Sequence, residues 1–132
     1  MYYKLFVLIL IFFTPNFLLG KNYMMNCTSP DFKTTVFYKY DSVNEKLLIR
    51  PMKNKWKDFC MTNIQNEESI SCTFNKSNIT RSSTIKKEHN YVNKVYNINF
   101  IKYSLVETIK VFKNNNLTKK IDNIYKCRNI KI

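Results

Sequence analysis

The clearest strand signal in the chain is Ser69-Ile70-Ser71-Cys72-Thr73-Phe74-Asn75. Apolar and polar residues alternate there at every step, as they do in a strand with one buried face. Cys72 falls on the apolar face, and Asn66 lies midway between Cys60 and Cys72. A turn near Asn66-Glu67 would place the two sulfurs opposite each other. The segment therefore predicts a β-strand and a Cys60–Cys72 disulfide that closes a local hairpin.

Other β-rich runs support the same interpretation. Val36–Tyr40 and Lys46–Arg50 flank the turn-like Asp41–Glu45, and together they predict a second hairpin. Asn114-Asn115-Asn116 predicts a turn, and Ile124–Ile132 predicts a closing strand that carries Cys127. We therefore expect an all-β fold, a small antiparallel β-sandwich, in the mature chain.

Two stretches are less regular. Residues 76–94 are polar and charged, and we expect a long loop there. The run Val95–Phe112 is apolar again, and its period fits two structures. A helical stripe is formed by Ile98, Ile101, Leu105, Ile109 and Phe112, whereas shorter alternations within the run fit strands. The β-branched and aromatic content favours strands, with the helix as the alternative.

The first 20 residues resemble an export signal in their composition. Lys4 supplies a positive charge, Leu5–Phe13 is an unbroken apolar run, and Gly20 suits the position before the cut. The apolar run is shorter than the roughly 20 residues that cross a bilayer, so we expect cleavage, with a retained membrane anchor as the alternative. Residues 21–132 are then expected to form a single secreted β-rich domain.

The mature chain contains four cysteines, Cys27, Cys60, Cys72 and Cys127. In a small exported domain an even count predicts two disulfides, because cross-links restrict the unfolded chain. Zinc coordination is the competing use of four cysteines, but the sequence contains no Cys-x-x-Cys pair, the spacing typical of a zinc site. We favour Cys60–Cys72 with Cys27–Cys127, and Cys60–Cys127 remains the main rival pairing.

Export also gives meaning to four Asn-x-Ser/Thr triplets, which begin at Asn26, Asn75, Asn78 and Asn116. Several such triplets arise by chance in an Asn-rich chain. The last three lie in polar stretches where turns are expected, so we predict glycans among them. Asn26 adjoins a cysteine and is the least favoured position.

Residues that could support catalysis are scarce. The only histidine, His89, lies in the polar stretch, and the mature chain has no glycine that could form a phosphate-binding loop. Glu67 and Glu68 are adjacent near a predicted turn, where a solvated hairpin tip explains them better than an acid/base pair. We expect no enzymatic activity, no cofactor and no metal.

Positive charge is the most informative feature of the composition. The whole chain carries a formal net charge of +13. Residues 21–75 hold 8 basic and 6 acidic side chains, whereas residues 76–132 hold 13 basic and 3 acidic ones. The second half should therefore attract polyanions and acidic proteins. The residues that we expect to bind a polyanion or partner are Lys53, Lys55, Lys57, Lys119, Lys120, Lys126 and Arg128.

These observations predict a secreted, N-glycosylated, basic protein that acts by binding an extracellular protein, with glycosaminoglycan or an anionic membrane surface as a further contact. The export signal argues against nucleic acid as a partner. One alternative is a carrier of an apolar ligand, with a pocket lined by Phe37, Ile49, Phe74, Phe100 and Val111. A second is a helical cytokine-like signal, which depends on a helix over Val95–Phe112. Trp56, the only tryptophan, is expected in the core, with a role as contact anchor as the alternative.

Overall fold

The computed structural model describes residues 21–51, 55–61 and 68–130. Its strands are β1 (Asn22–Thr28), β2 (Thr35–Asp41), β3 (Lys46–Pro51), β4 (Lys57–Asp58), β5 (Glu68–Asn75), β6 (Asn78–Lys87), β7 (Asn90–Asn99), β8 (Ser104–Lys113) and β9 (Asn116–Asn129). The expected all-β class is confirmed. The expected signal peptide, Lys53 and the expected turn at Asn66-Glu67 lie outside the described residues.

All nine strands belong to one antiparallel sheet, in the order β4-β3-β2-β1-β9-β8-β7-β6-β5. The described strands are thus not divided into the two sheets expected of a sandwich. The sheet curls until its two ends meet, because Cys60, just after β4, is bonded to Cys72 in β5. Arg81 of β6 closes the same gap by donating from Nε to the backbone oxygen of Phe59 at 2.6 Å.

Both favoured disulfides, Cys27–Cys127 and Cys60–Cys72, are confirmed, and the rival Cys60–Cys127 pairing and the zinc alternative are wrong. Cys27 and Cys127 are directly opposite each other on β1 and β9. The expected local hairpin around Cys60–Cys72 is wrong, since β4 pairs with β3 and β5 pairs with β6. This disulfide joins the two ends of the sheet instead.

The core lies inside the curl, between β1–β3 on one side and β5–β8 on the other. Tyr40 of β2 stacks on Phe74 at 5.8 Å and on Phe100 at 5.6 Å between ring centroids. The buried apolar residues are Met25, Cys27, Tyr38, Tyr40, Leu47, Ile79, Ile98, Phe100 and Leu105. Burial of one large side chain of this kind contributes about 1.5–3 kcal/mol. The ring contacts of Tyr40 thus link β2 to β5, two strands that are far apart in the strand order.

The loop expected over residues 76–94 is wrong. This stretch forms β6, a turn at Glu88-His89, and the first half of β7. Its inward positions include Arg81 and Ser83, both buried, beside Ile79. A polar side chain at a buried position breaks the apolar alternation that identifies a strand, and the sequence pattern failed for that reason.

The run Val95–Phe112 is strand, turn and strand, so the helical alternative is wrong and the strand interpretation is confirmed. The turn expected at the asparagines is also confirmed, with Asn114 and Asn115 at φ 51° and 64°. Two left-handed residues are typical of the type I′ hairpin turn, where asparagine is favoured. The closing strand begins earlier than expected, at Asn116 rather than Ile124.

Strand β9 is much longer than its neighbour β1. Only Lys126–Asn129 pair with β1, whereas β8 pairs along β9 from Asn116 to Lys126. The ends of β6–β9 consequently project beyond the core cluster. We call this projection, residues 84–93 and 109–121, the tongue.

Candidate binding surface

Two adjacent hairpin turns form the tip of the tongue. Glu88 and His89 connect β6 to β7, and Asn114 and Asn115 connect β8 to β9. Since β7 and β8 pair from end to end, with Asn90 opposite Lys113, the two turns lie side by side. None of the fully buried core residues belongs to the tongue. It is therefore a surface element supported by strand pairing.

The tongue is strongly basic. It carries six lysines, Lys86, Lys87, Lys110, Lys113, Lys119 and Lys120, against a single acid, Glu88. Lys110 and Lys120 are directly opposite each other on β8 and β9. Like charges in that position destabilise a sheet. An acidic group placed between them would remove this repulsion.

Apolar side chains are exposed among these lysines. Leu117 is 52% exposed, and Ile85 and Ile121 are 37% and 36% exposed. On the outer face of the sheet Tyr91 stacks on Phe112 with ring centroids 4.3 Å apart. Exposed apolar residues surrounded by charge are typical of a contact surface.

The inner face of the tongue contains a shallow groove of about 410 Å³. Ile85, Val92 and Val111 occupy successive strands at one register and form its apolar floor. Lys87 and Lys113 lie at its rim. The groove can accommodate an apolar side chain of a partner that is followed by an acidic group.

The predicted partner-binding residues are not in one place. Lys55 and Lys57 are exposed near β4, the strand at one end of the sheet, and Lys53 lies outside the described residues. Lys119 and Lys120 belong to the tongue but face opposite sides, since Lys119 pairs with Val111 and Lys120 with Lys110.

Lys126 and Arg128 lie in the part of β9 that pairs with β1, and each contacts another side chain of the protein. Lys126 Nζ is 5.1 Å from the ring centroid of Phe32. Arg128 donates from Nε to Asn26 Oδ1 at 3.2 Å. Lys110 and Lys113, which complete the basic tongue, were missed because a run of ambiguous period gives no indication of which surface its lysines share.

A second group of polar residues lies inside the curl, and no pattern in the sequence indicated it. Arg81, Tyr96, Glu107 and Asn123 stand at one register on β6, β7, β8 and β9. Asn123 Nδ2 donates to Glu107 Oε1 at 2.9 Å, and the hydroxyls of Tyr96 and Tyr125 also bond to this carboxylate. Arg81 and Glu107 are each only 7% exposed.

The pKa values in this buried group follow from its environment. Burial, with the carboxylate of Glu107 as the next cause, raises the pKa of both Tyr96 and Tyr125. Burial likewise raises the pKa of Tyr38, which lies near Tyr125 and Glu107. Burial lowers the pKa of Arg81, although a guanidinium remains charged in proteins. The hydroxyls therefore act as donors, and the group stabilises the inside of the sheet.

The remaining predicted residues lie at separate places. Trp56 is half-buried, with the Arg50 guanidinium 6.0 Å from its ring centroid. His89 is exposed at the tongue tip, and Glu68 is half-buried with a carboxylate oxygen 3.9 Å from Arg81. Glu67 lies outside the described residues. Among the described residues no three His, Cys, Asp or Glu side chains are grouped as metal ligands.

The expected apolar pocket is not formed by its predicted residues. Phe74 and Phe100 pack against Tyr40 in the core, and Val111 belongs to the tongue. Phe37 is opposite Asn26 and Arg50, on the side of the sheet away from the inward Tyr38 and Tyr40. Ile49 packs at the margin of the core.

Comparison of the chain with protein families, with curated proteins and with solved structures found no match. Within the part of the chain that the structure describes, no helix is long and apolar enough to cross a membrane.

Proposed function

We propose that the protein is a secreted, N-glycosylated, non-enzymatic binding protein that contacts an acidic extracellular protein through the tongue. The observation that carries this proposal is the ratio of six lysines to one acid on an element outside the core, with exposed apolar residues among them. A polyanion such as a glycosaminoglycan, or an anionic membrane surface, would retain the protein near its partner through the same charges.

Secretion is supported by the apolar leader in the first 20 residues and by the two disulfides. Disulfides persist in oxidising compartments such as the extracellular space. The proposed absence of catalysis is supported by the position of Glu107, a carboxylate on the inner face of the curled sheet. It is buried and bonded to Asn123, Tyr96 and Tyr125, so a substrate does not reach it without opening the sheet.

Three of the four glycosylation triplets begin at exposed asparagines. Asn75 and Asn78 flank the β5–β6 turn, and Asn116 begins β9. Asn26 is buried and accepts the hydrogen bond from Arg128. We therefore propose glycans on the first three positions and none on Asn26. Enzymatic deglycosylation with peptide mass spectrometry would test each site separately.

The function is tested by moving the same amount of charge on two parts of the molecule. One variant reverses Lys86, Lys87, Lys119 and Lys120 to Glu, and the matched control reverses Lys33, Lys46, Lys55 and Lys57. All eight lysines are exposed. We expect the tongue variant to elute from immobilised heparin at much lower salt than the control, because clustered charge rather than net charge sets polyanion affinity. Equal elution of the two variants would contradict a tongue-centred surface.

A further inference from the structure

We infer that the protein binds its partner by strand addition, with an extended acidic segment pairing along the free edge of β9 in the tongue and in the residues that follow it, up to Tyr125. This inference rests on the proposed function, since it specifies how the same surface engages a protein. Strand addition joins main-chain groups of an extended peptide to an exposed sheet edge, and side chains provide the specificity.

The free edge lies between Asn116 and Tyr125. On one side these residues pair with β8, and no described strand pairs with them on the other side. Residues 116–122 are all exposed. A strand edge of this length is a template for another chain unless charge or a covering segment blocks it.

The backbone groups that face this edge can be identified from the register. In an antiparallel ladder, residues alternate between hydrogen-bonded pairs and closer pairs whose N–H and C=O groups point away from each other. Cys27 and Cys127 are 4.1 Å apart at Cα, the closer kind, so Cys127 directs its backbone groups toward β8. The Ile130 N–H, three residues on, donates to Met24 of β1.

From Lys119 onward, past the register shift opposite Val111 and Phe112, even-numbered residues of β9 therefore direct their N–H and C=O toward the β1 side. Above the segment paired with β1, these residues are Lys120, Asp122 and Ile124. The intervening Ile121, Asn123 and Tyr125 direct theirs toward β8. Three donors and three acceptors are thus available to one added strand.

The side chains at the edge define the partner chemistry. Lys119 and Lys120 lie on opposite faces of β9, and Lys110 adds a third charge beside Lys120. Ile121 and Ile124 are exposed on opposite faces, Ile124 at 68%. Lysines discourage pairing with another basic strand and so disfavour a second copy of this chain. They favour a segment with acidic residues on the face of Lys110 and Lys120 and apolar residues on the face of Ile121, as an alternating Val-Glu sequence provides.

The test uses an acetylated, amidated peptide of five Val-Glu repeats, with a Val-Lys peptide of equal length as its control. Binding is measured by fluorescence anisotropy for the wild type, Asp122→Pro and Asp122→Ala. The Asp122 carboxylate accepts a hydrogen bond from the Thr108 hydroxyl at 2.7 Å, so both substitutions lose that bond and one negative charge. Only proline also removes the edge N–H and adds a ring that hinders an incoming strand.

We expect Asp122→Pro to bind the Val-Glu peptide about tenfold more weakly than Asp122→Ala, and the Val-Lys peptide not to bind. Amide hydrogen exchange of the wild type gives a second readout that does not depend on a variant folding. In the free protein Lys120, Asp122 and Ile124 should exchange fast and their odd-numbered neighbours slowly. The peptide should slow the exchange of those three amides.

Equal affinities of the two variants, or protection at other amides, would overturn strand addition. If heparin binding depends on the tongue lysines but the Val-Glu peptide does not bind, this inference fails and the proposed function stands. If neither depends on the tongue, both fail. A dimer in analytical ultracentrifugation that Asp122→Pro dissociates would identify the occupant as a second copy, and would also overturn the inference.

Discussion

Replacement of Arg81 should open the curled sheet at the place where its two ends meet. The guanidinium donates to the backbone oxygen of Phe59 at 2.6 Å and lies 3.9 Å from the centroid of the Phe59 ring. It also lies 5.5 Å from the ring of Tyr96 and 3.9 Å from a carboxylate oxygen of Glu68. One charged group thus contacts the segment after β4, strand β5 and strand β7.

The expected loss in the free energy of unfolding follows from these contacts. A hydrogen bond from a charged donor contributes about 1.5–3 kcal/mol, and a partly desolvated cation over an aromatic ring about 0.5–2 kcal/mol. Truncation to alanine also leaves a cavity where the buried stem was. We expect Arg81→Ala to lower the free energy of unfolding by about 3–5 kcal/mol.

Two further variants separate the contribution of the apolar stem of Arg81 from those of its charge and its planar group. Arg81→Met keeps the apolar stem and should cost about 1 kcal/mol less than alanine. Arg81→Lys keeps the charge but loses the planar group that stacks on Phe59, and should still cost about 2 kcal/mol. Lys102→Ala, at an exposed position, is the control and should change stability by less than about 0.5 kcal/mol.

The assay is urea unfolding monitored by circular dichroism, with the disulfides intact. Hydrogen exchange should show faster opening of β5 and of residues 57–60 than of β8 in Arg81→Ala. This role of Arg81 would be wrong if Arg81→Ala unfolded within about 1 kcal/mol of the wild type, or if Arg81→Lys kept full stability.

Stability should fall as pH rises above about 10, the pKa of tyrosine in the unfolded chain, because folding raises the pKa of Tyr38, Tyr96 and Tyr125. Urea midpoints measured between about pH 9 and 11 would check this, and midpoints that do not change with pH would contradict it. Glu88→Gly should stabilise by about 0.5–1 kcal/mol, since Glu88 has a left-handed φ of 58°, whereas Glu88→Ala should not. The Cys60–Cys72 disulfide closes a loop with a sequence separation of 12, and Cys27–Cys127 closes one with a separation of 100. Replacing both cysteines of the first pair by serine should lower stability by about 3 kcal/mol, and of the second pair by about 5 kcal/mol. The reverse order in thermal unfolding would contradict this estimate from chain entropy.

Much of the candidate surface could be located only coarsely from the sequence. The excess of basic residues after residue 76 indicates the correct half of the molecule, and the Asn114-Asn115 turn lies at the tip of the tongue. The lysines that share the tongue could not be grouped in advance, because Lys110 and Lys120 are brought together by the register of β8 against β9. Lys126 and Arg128 were predicted to bind the same kind of partner as Lys120, but pairing with β1 places them outside the free edge.

The elements that depend on neighbouring residues could be predicted from the sequence. Three such elements are local: the strand around Cys72, the hairpin of β2 and β3, and the asparagine turn. Side-chain periodicity indicates the strands, and the residue types indicate the turns. Both disulfide pairings were also within reach of the sequence. Three features became visible only in the folded chain: one sheet curls onto itself, Arg81 and Glu107 are buried, and β9 extends past β1. Periodicity shows which side of a strand faces inward, but strand order and strand overlap arise from contacts between residues distant in sequence, and a single sequence carries no local signal of those contacts.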